Sequence, residues 1–148
     1  MTACAQQRIN RSLGRSLMPR KPLTVSQWAD AERFLSSKGS AEPGKWRTHR
    51  NPPLREPMDC MSARSTVHDV VCRFPIQFGK TEIAVNVVGY TMDHNPGPIM
   101  VCLPSENSMN KWVEQKLNPM LDETPAARRA LTSVSSRESA NRRTLGAG

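Results

Sequence analysis

The stretch Val70-Val71-Cys72-Arg73-Phe74-Pro75-Ile76-Gln77-Phe78-Gly79-Lys80-Thr81-Glu82 runs from an apolar β-branched segment into Gly-Lys-Thr and then into a second apolar-patterned segment. This is the layout of a phosphate-binding loop between a strand and a helix. Such a loop offers successive backbone N–H groups and a helix N-terminus to an anion, a lysine to the β/γ-phosphates and a hydroxyl to Mg²⁺. Lys80 and Thr81 are the residues for the last two roles. The full pattern has a glycine five positions before the second one; here that place holds Phe74, so only the second half of the motif is present. Upstream, Val67, Val70 and Val71 read as a buried strand. Downstream, Ile83, Ala84, Val87 and Val88 share one face of a helix. The competing reading makes Gly79-Lys80 an ordinary turn and the β-branched Ile83, Val85, Val87 and Val88 a hairpin strand.

The 148 residues suit one domain of moderate size, and the net charge of +8 is unevenly placed. Residues 1–50 carry +7 and residues 51–148 carry +1. Arg8, Arg11, Arg15, Arg20 and Lys21 stand in an acid-free start, so residues 1–22 read as a flexible basic arm of the kind that neutralises DNA phosphates. A solvated tail or an Arg- and Ser-rich targeting segment has the same composition. Cys4, Cys60, Cys72 and Cys102 lack paired metal spacing and read as reduced core residues. His49, His68 and His94 are scattered singly and read as surface or turn residues. With no apolar run near about 18 residues, the expectation is a soluble cytoplasmic protein.

Thr24 and Gln27 form a capping box for a helix with Trp28, Ala31 and Leu35 on one face, ended by Gly39. A Pro-rich connector follows, in which Trp46 either lines a ligand or pins an irregular segment to the domain. Leu54, Met58 and Met61 have helical spacing, with Pro57 tolerable in a first turn. Asn95-Pro96-Gly97-Pro98 marks a turn before a second buried strand, residues 99–103. Strand, helix, strand is a βαβ unit. Ser105 caps a helix bearing Met109, Trp112, Val113 and Leu117 that Pro119 stops, and Thr124-Pro125 starts another through about Leu131. Residues 132–148 are expected to be a disordered tail. The fold class is therefore α/β: a partial P-loop NTPase domain over residues 23–131, with a βαβ core, flanking helices and an incomplete parallel sheet. No apolar run after Lys80 ends in an acid that could hold Mg²⁺ and orient water, and Glu106 is a poor substitute.

From about Pro22 to Asn141 the chain resembles the N-terminal part of the phage terminase large subunit, in the class of the lambda-type DNA-packaging proteins. The segments that carry the likeness are residues 23–30 (LTVSQWAD), 40–48 (SAEPGKWRT), 55–59 (REPMD), 77–82 (QFGKTE) and 98–101 (PIMV). The resemblance implies an ATPase that packages viral DNA into capsids, joined to a separate nuclease domain that cuts concatemers. It assigns Arg73, Gln77, Phe78, Gly79, Lys80 and Thr81 to nucleotide binding, with Thr81 also holding Mg²⁺ through its hydroxyl. Trp46, Arg47 and Arg55 fall on the adenine side. It implies ATP and Mg²⁺ as cofactors, and double-stranded DNA, the terminase small subunit and the capsid portal as partners in a bacterial host, with self-assembly open and no membrane. The likeness stops at Arg142, which implies a truncated reading frame of prophage origin. The alternatives are a small basic non-enzymatic DNA-binding or assembly protein, or an inert remnant.

Overall fold

Thr24 opens the first helix among the described residues, as its sequence requires. In the computed structural model, which describes residues 22–37 and 42–135, its hydroxyl accepts from Gln27 N and its own N–H donates to Gln27 Oε1 at 3.1 Å. Two further N–H groups at this end, those of Val25 and Ser26, donate to Ser62 Oγ at 2.9 Å and Asp59 Oδ1 at 3.2 Å. The donors that a helix start leaves without partners thus tie α1, Val25–Glu32, to the region of α2, Arg55–Cys60. Thr24→Ala removes one cap and is expected to cost about 1 kcal/mol of unfolding free energy, measurable as a lower denaturant midpoint at unchanged slope.

The helix does not run to Gly39. Arg33 turns extended, and Phe34–Leu35 (β1) pairs antiparallel with Gly44–Lys45 (β2), Phe34 opposite Lys45 and Leu35 opposite Gly44. The backbone of Arg33 ends α1 by donating to Ala29 O at 3.1 Å while its carbonyl accepts from Trp46 N at 3.0 Å. Ala31 is consequently exposed, and Leu35 packs from a strand. Two 3₁₀ turns, Thr48–Arg50 and Pro52–Leu54, then lead into α2, where Leu54 and Met58 are buried as their spacing predicts.

Lys80–Asp93 is α3, a helix and not a hairpin strand. It carries the core on two sides. Ile83 and Tyr90 pack with Val25, Trp28, Trp46, Leu54 and Met58, while Val85 and Val88 pack with Trp112 and Met120. Gly89 makes the first contact surface thin: a Cβ there would lie 2.4 Å from Trp28 Cη2. Trp28 Nε1 donates across to Asp93 Oδ2 at 3.0 Å, so ring and helix are fixed at both edge and face.

After Ser105, whose hydroxyl accepts from Ser108 N, α4 (Glu106–Trp112) continues through a π turn, Val113–Leu117, into α5 (Asn118–Glu123). Pro119 does not stop it. A proline lacks an N–H and its ring crowds the carbonyl four residues back, and the wider π turn just before it gives that carbonyl other geometry. Then α6, Pro125–Ser135, places Ala126 in the first cluster and Ala127 in the second, bridging the two.

The expected parallel strands are absent. Residues 66–75 and 99–103 are irregular: among the described residues the sheet contains β1 and β2 alone, and no backbone hydrogen bond joins either segment to a neighbouring strand. Their side chains still alternate: Val70, Cys72 and Phe74 are half-buried between exposed neighbours, and Val71 is 92% exposed. In the second segment Val101 packs on the core while Met100 is 86% exposed. Local β-propensity does not make a strand without a partner in register, so no βαβ unit forms among the described residues. Cys102 is exposed rather than in the core; Cys60 and Cys72 are half-buried and free. His49 and His68 are exposed, whereas His94 accepts from Leu23 N through Nε2 at 3.2 Å. The basic arm (Arg8, Arg11, Arg15, Arg20, Lys21) and the tail beyond residue 135 lie outside the described residues.

Candidate phosphate loop

Residues 74–80 curl into a closed loop at the start of α3. Lys80 Nζ donates to the carbonyl of Phe74 at 3.0 Å, so the lysine spans the loop to the position where the full motif has its first glycine. Phe74 is accommodated because its ring stacks on Phe78, centroids 5.1 Å apart, and both rings pack on the first core cluster. Pro75 and Ile76 form the exposed tip. The chain then reverses through two left-handed residues, Gln77 at φ 61° and Gly79 at φ 96°. The glycine is favoured by its φ, which an L side chain rarely adopts, and a Cβ there would also stand a tight 3.0 Å from Leu54 Cδ1.

Gly79 caps α3, and its carbonyl accepts from Glu82 N at 3.0 Å and, more loosely, from Ile83 N. The N–H groups of Lys80 and Thr81 precede the first intrahelical bond, which leaves them to an anion by helix geometry. Lys80, Thr81, Arg73 and Gln77 are all exposed and Phe78 is half-buried. A residue that sequence reading missed holds the loop from behind: Asn51 Nδ2 donates to Phe78 O at 2.9 Å. Asn51 stands 27 positions away in a Pro-rich connector, with no local pattern to connect it to the loop.

The adenine-side residues differ in their surroundings. Trp46 is buried, its Nε1 donating to Thr48 Oγ1 at 3.0 Å and its face lying under the Arg33 guanidinium, so it pins the connector to the core. Arg47 is exposed. Arg55 pairs with Asp59 at 3.6 Å and lines an open groove of about 660 Å³ with Pro52, Glu56, Arg64 and Ser65. Glu106 lies in the exposed first turn of α4. Among the described residues no group of three or more His, Cys, Asp or Glu is arranged to hold a metal ion, and no helix is long and apolar enough to cross a membrane.

Behind the first turn of α3 lies an ion network. Glu82 Oε2 accepts from Arg33 Nη2 at 2.5 Å and Oε1 from Lys116 Nζ at 3.0 Å. Arg33 Nη1 also donates to the Glu82 carbonyl at 3.5 Å and to Asn86 Oδ1. Burial lowers the Arg33 pKa from its ordinary value, opposed by the charge of Glu82 and its hydrogen bond; an arginine remains protonated regardless.

No solved structure matches the chain. The terminase large subunit of Escherichia phage lambda is 23% identical over 112 residues, 76% of this chain and 17% of that protein, so the chain spans under a fifth of its relative's length. Residues 40–145, which contain the loop, its Asn51 clasp and all of α3, match the family described as phage terminase large subunit gpA, ATPase domain, and the chain belongs to that family.

Proposed function

We propose that this chain is a nucleotide-binding part of a phage terminase large subunit, with the phosphates of ATP held at residues 73–81. The observation that carries the reading is the loop closed by Lys80 on the Phe74 carbonyl at the head of a 14-residue helix, inside the region matched by an ATPase family. Lys80 would exchange that carbonyl for β/γ-phosphate oxygens, and the N–H groups of residues 79–81 would face the same anion. Arg73 and Gln77 would contact phosphate, and Phe78 would shape the wall. The left-handed Gly79 would give the backbone its close approach, and the exposed Thr81 would hold Mg²⁺ through its hydroxyl. Bound Mg²⁺ would supply charge neutralisation at the phosphates.

The family match supports a DNA-packaging ATPase; on this reading the whole protein would work with double-stranded DNA, a small terminase subunit and a capsid portal in the host cytoplasm, with nuclease activity in a separate domain. Base stacking by Trp46 is not part of the reading, because its ring is committed to the core.

Equilibrium titration with a fluorescent ATP analogue tests the loop. Charge-assisted hydrogen bonds contribute about 1.5–3 kcal/mol, so Lys80→Ala is expected to weaken binding roughly 10- to 100-fold. Equal affinity in the two proteins would refute the assignment.

A further inference from the structure

Glu82 is out of place beside a phosphate site. A carboxylate in the first turn suits the helix dipole, but it stands one residue from Thr81 and two from Lys80, where it would repel the anion those residues bind. The fold answers with two cations on one carboxylate. Arg33 comes from the end of α1 and Lys116 from the π turn, 49 and 34 positions away in sequence, and each takes one carboxylate oxygen.

Stability alone does not call for this arrangement. Arg33 is 3% exposed, and its Nε is buried with no hydrogen-bond partner. Burying a guanidinium with one N–H unsatisfied is costly, and well-packed apolar residues often replace buried ion pairs without loss. What the arginine does achieve is local. It grips the side chain and the carbonyl of Glu82 and reaches Asn86 a turn later, while Trp46 covers its face at 5.3 Å. The first turn of α3 is held in place, and its acid is outweighed by two positive charges.

We propose that Arg33 is a positioning residue for the phosphate loop, neutralising Glu82 together with Lys116 so that the start of α3 presents net positive charge to a nucleoside triphosphate. The inference rests on the reading that the loop binds nucleotide phosphates.

The test is titration of the full chain with fluorescent ATP and AMP analogues, for wild type, Arg33→Gln, Glu82→Gln, Lys116→Met and the doubles Arg33→Gln/Glu82→Gln and Lys116→Met/Glu82→Gln. Unscreened charge at this range is expected to weaken ATP-analogue binding about 10-fold in Arg33→Gln and about 3-fold in Lys116→Met. The AMP analogue should lose less, because it brings less negative charge. Adding Glu82→Gln should return each single variant to within about 3-fold of wild type. A purely structural role would weaken both analogues alike and would not be relieved by removing a second polar group.

Unchanged ATP-analogue affinity in folded Arg33→Gln, or a double as weak as its single, overturns the proposal. If circular dichroism shows Arg33→Gln unfolded, the half-exposed Lys116 decides: Lys116→Met binding as wild type overturns it equally. Should Lys80→Ala itself have no effect, the loop reading fails; Lys80 dependence with unaltered Arg33→Gln binding defeats this inference alone.

Discussion

Gly89→Val is expected to destabilise the fold by about 3 kcal/mol or more, at the upper end of overpacking penalties. Even the first added atom has nowhere to go. A Cβ at this position would lie 2.4 Å from Trp28 Cη2 and 2.9 Å from Cζ3, with Met120 Sδ 3.4 Å away on the other side. The indole cannot swing aside, because it is buried and its Nε1 is held by Asp93 near the end of the same helix. Gly89→Ala should be milder: it meets the same wall, but alanine returns about 1 kcal/mol of helix propensity. Against a typical total of roughly 5–15 kcal/mol, the valine variant should show a clearly lowered urea midpoint. An unchanged midpoint would mean that α1 and α3 are not packed this closely.

Trp28→Ala is the complementary loss and should cost about 3–5 kcal/mol. The ring joins α1 to α3, is almost wholly buried in the first core cluster, and gives up a hydrogen bond to Asp93 when truncated. The two substitutions should not add. In a Trp28→Ala background the valine side chain enters the cavity left by the indole, so Gly89→Val should cost at least ~1 kcal/mol less than it does in wild type. Strict additivity in a denaturation cycle would show that the clash is not what makes the glycine necessary.

Those positions also mark how far the sequence can be read. Helix starts were legible, because Thr24 with Gln27, Gly79 before Lys80 and Ser105 before Ser108 are local chemistry: a cap and its donor lie within three residues. The end of α1 was not, since it depends on Arg33 giving its carbonyl to Trp46, and neither residue signals that by itself. The β-branched run Val67, Val70 and Val71 read as a buried strand, whereas no strand forms there and Val71 is exposed. Pairing was beyond reach, because a ladder needs a second segment whose register is set elsewhere. Pro119 looked like a stop because the rule assumes α geometry before it, and Val113–Leu117 is a π turn.

The loop divides in the same way. Gly79, Lys80 and Thr81 announce themselves by spacing, and the left-handed glycine follows from that motif. The residues that brace them, Asn51 at the Phe78 carbonyl and Arg33 and Lys116 at Glu82, come from distant segments where an isolated polar residue reads as solvated. Trp46 was legible as either ligand wall or anchor, and the buried bond to Thr48 makes it an anchor.

On the proposed reading, the bond from Lys80 to the Phe74 carbonyl would hold the ammonium in place at the loop before an anion arrives. An ammonium has three N–H donors and the carbonyl takes one of them, so an anion can share the lysine with Phe74 as well as displace it, and the measured affinity would be a difference between hydrogen-bonded states. A loop carbonyl is neutral and a phosphate oxygen is not. The lysine would therefore meet a charged ligand already positioned, with the carbonyl as its resting partner.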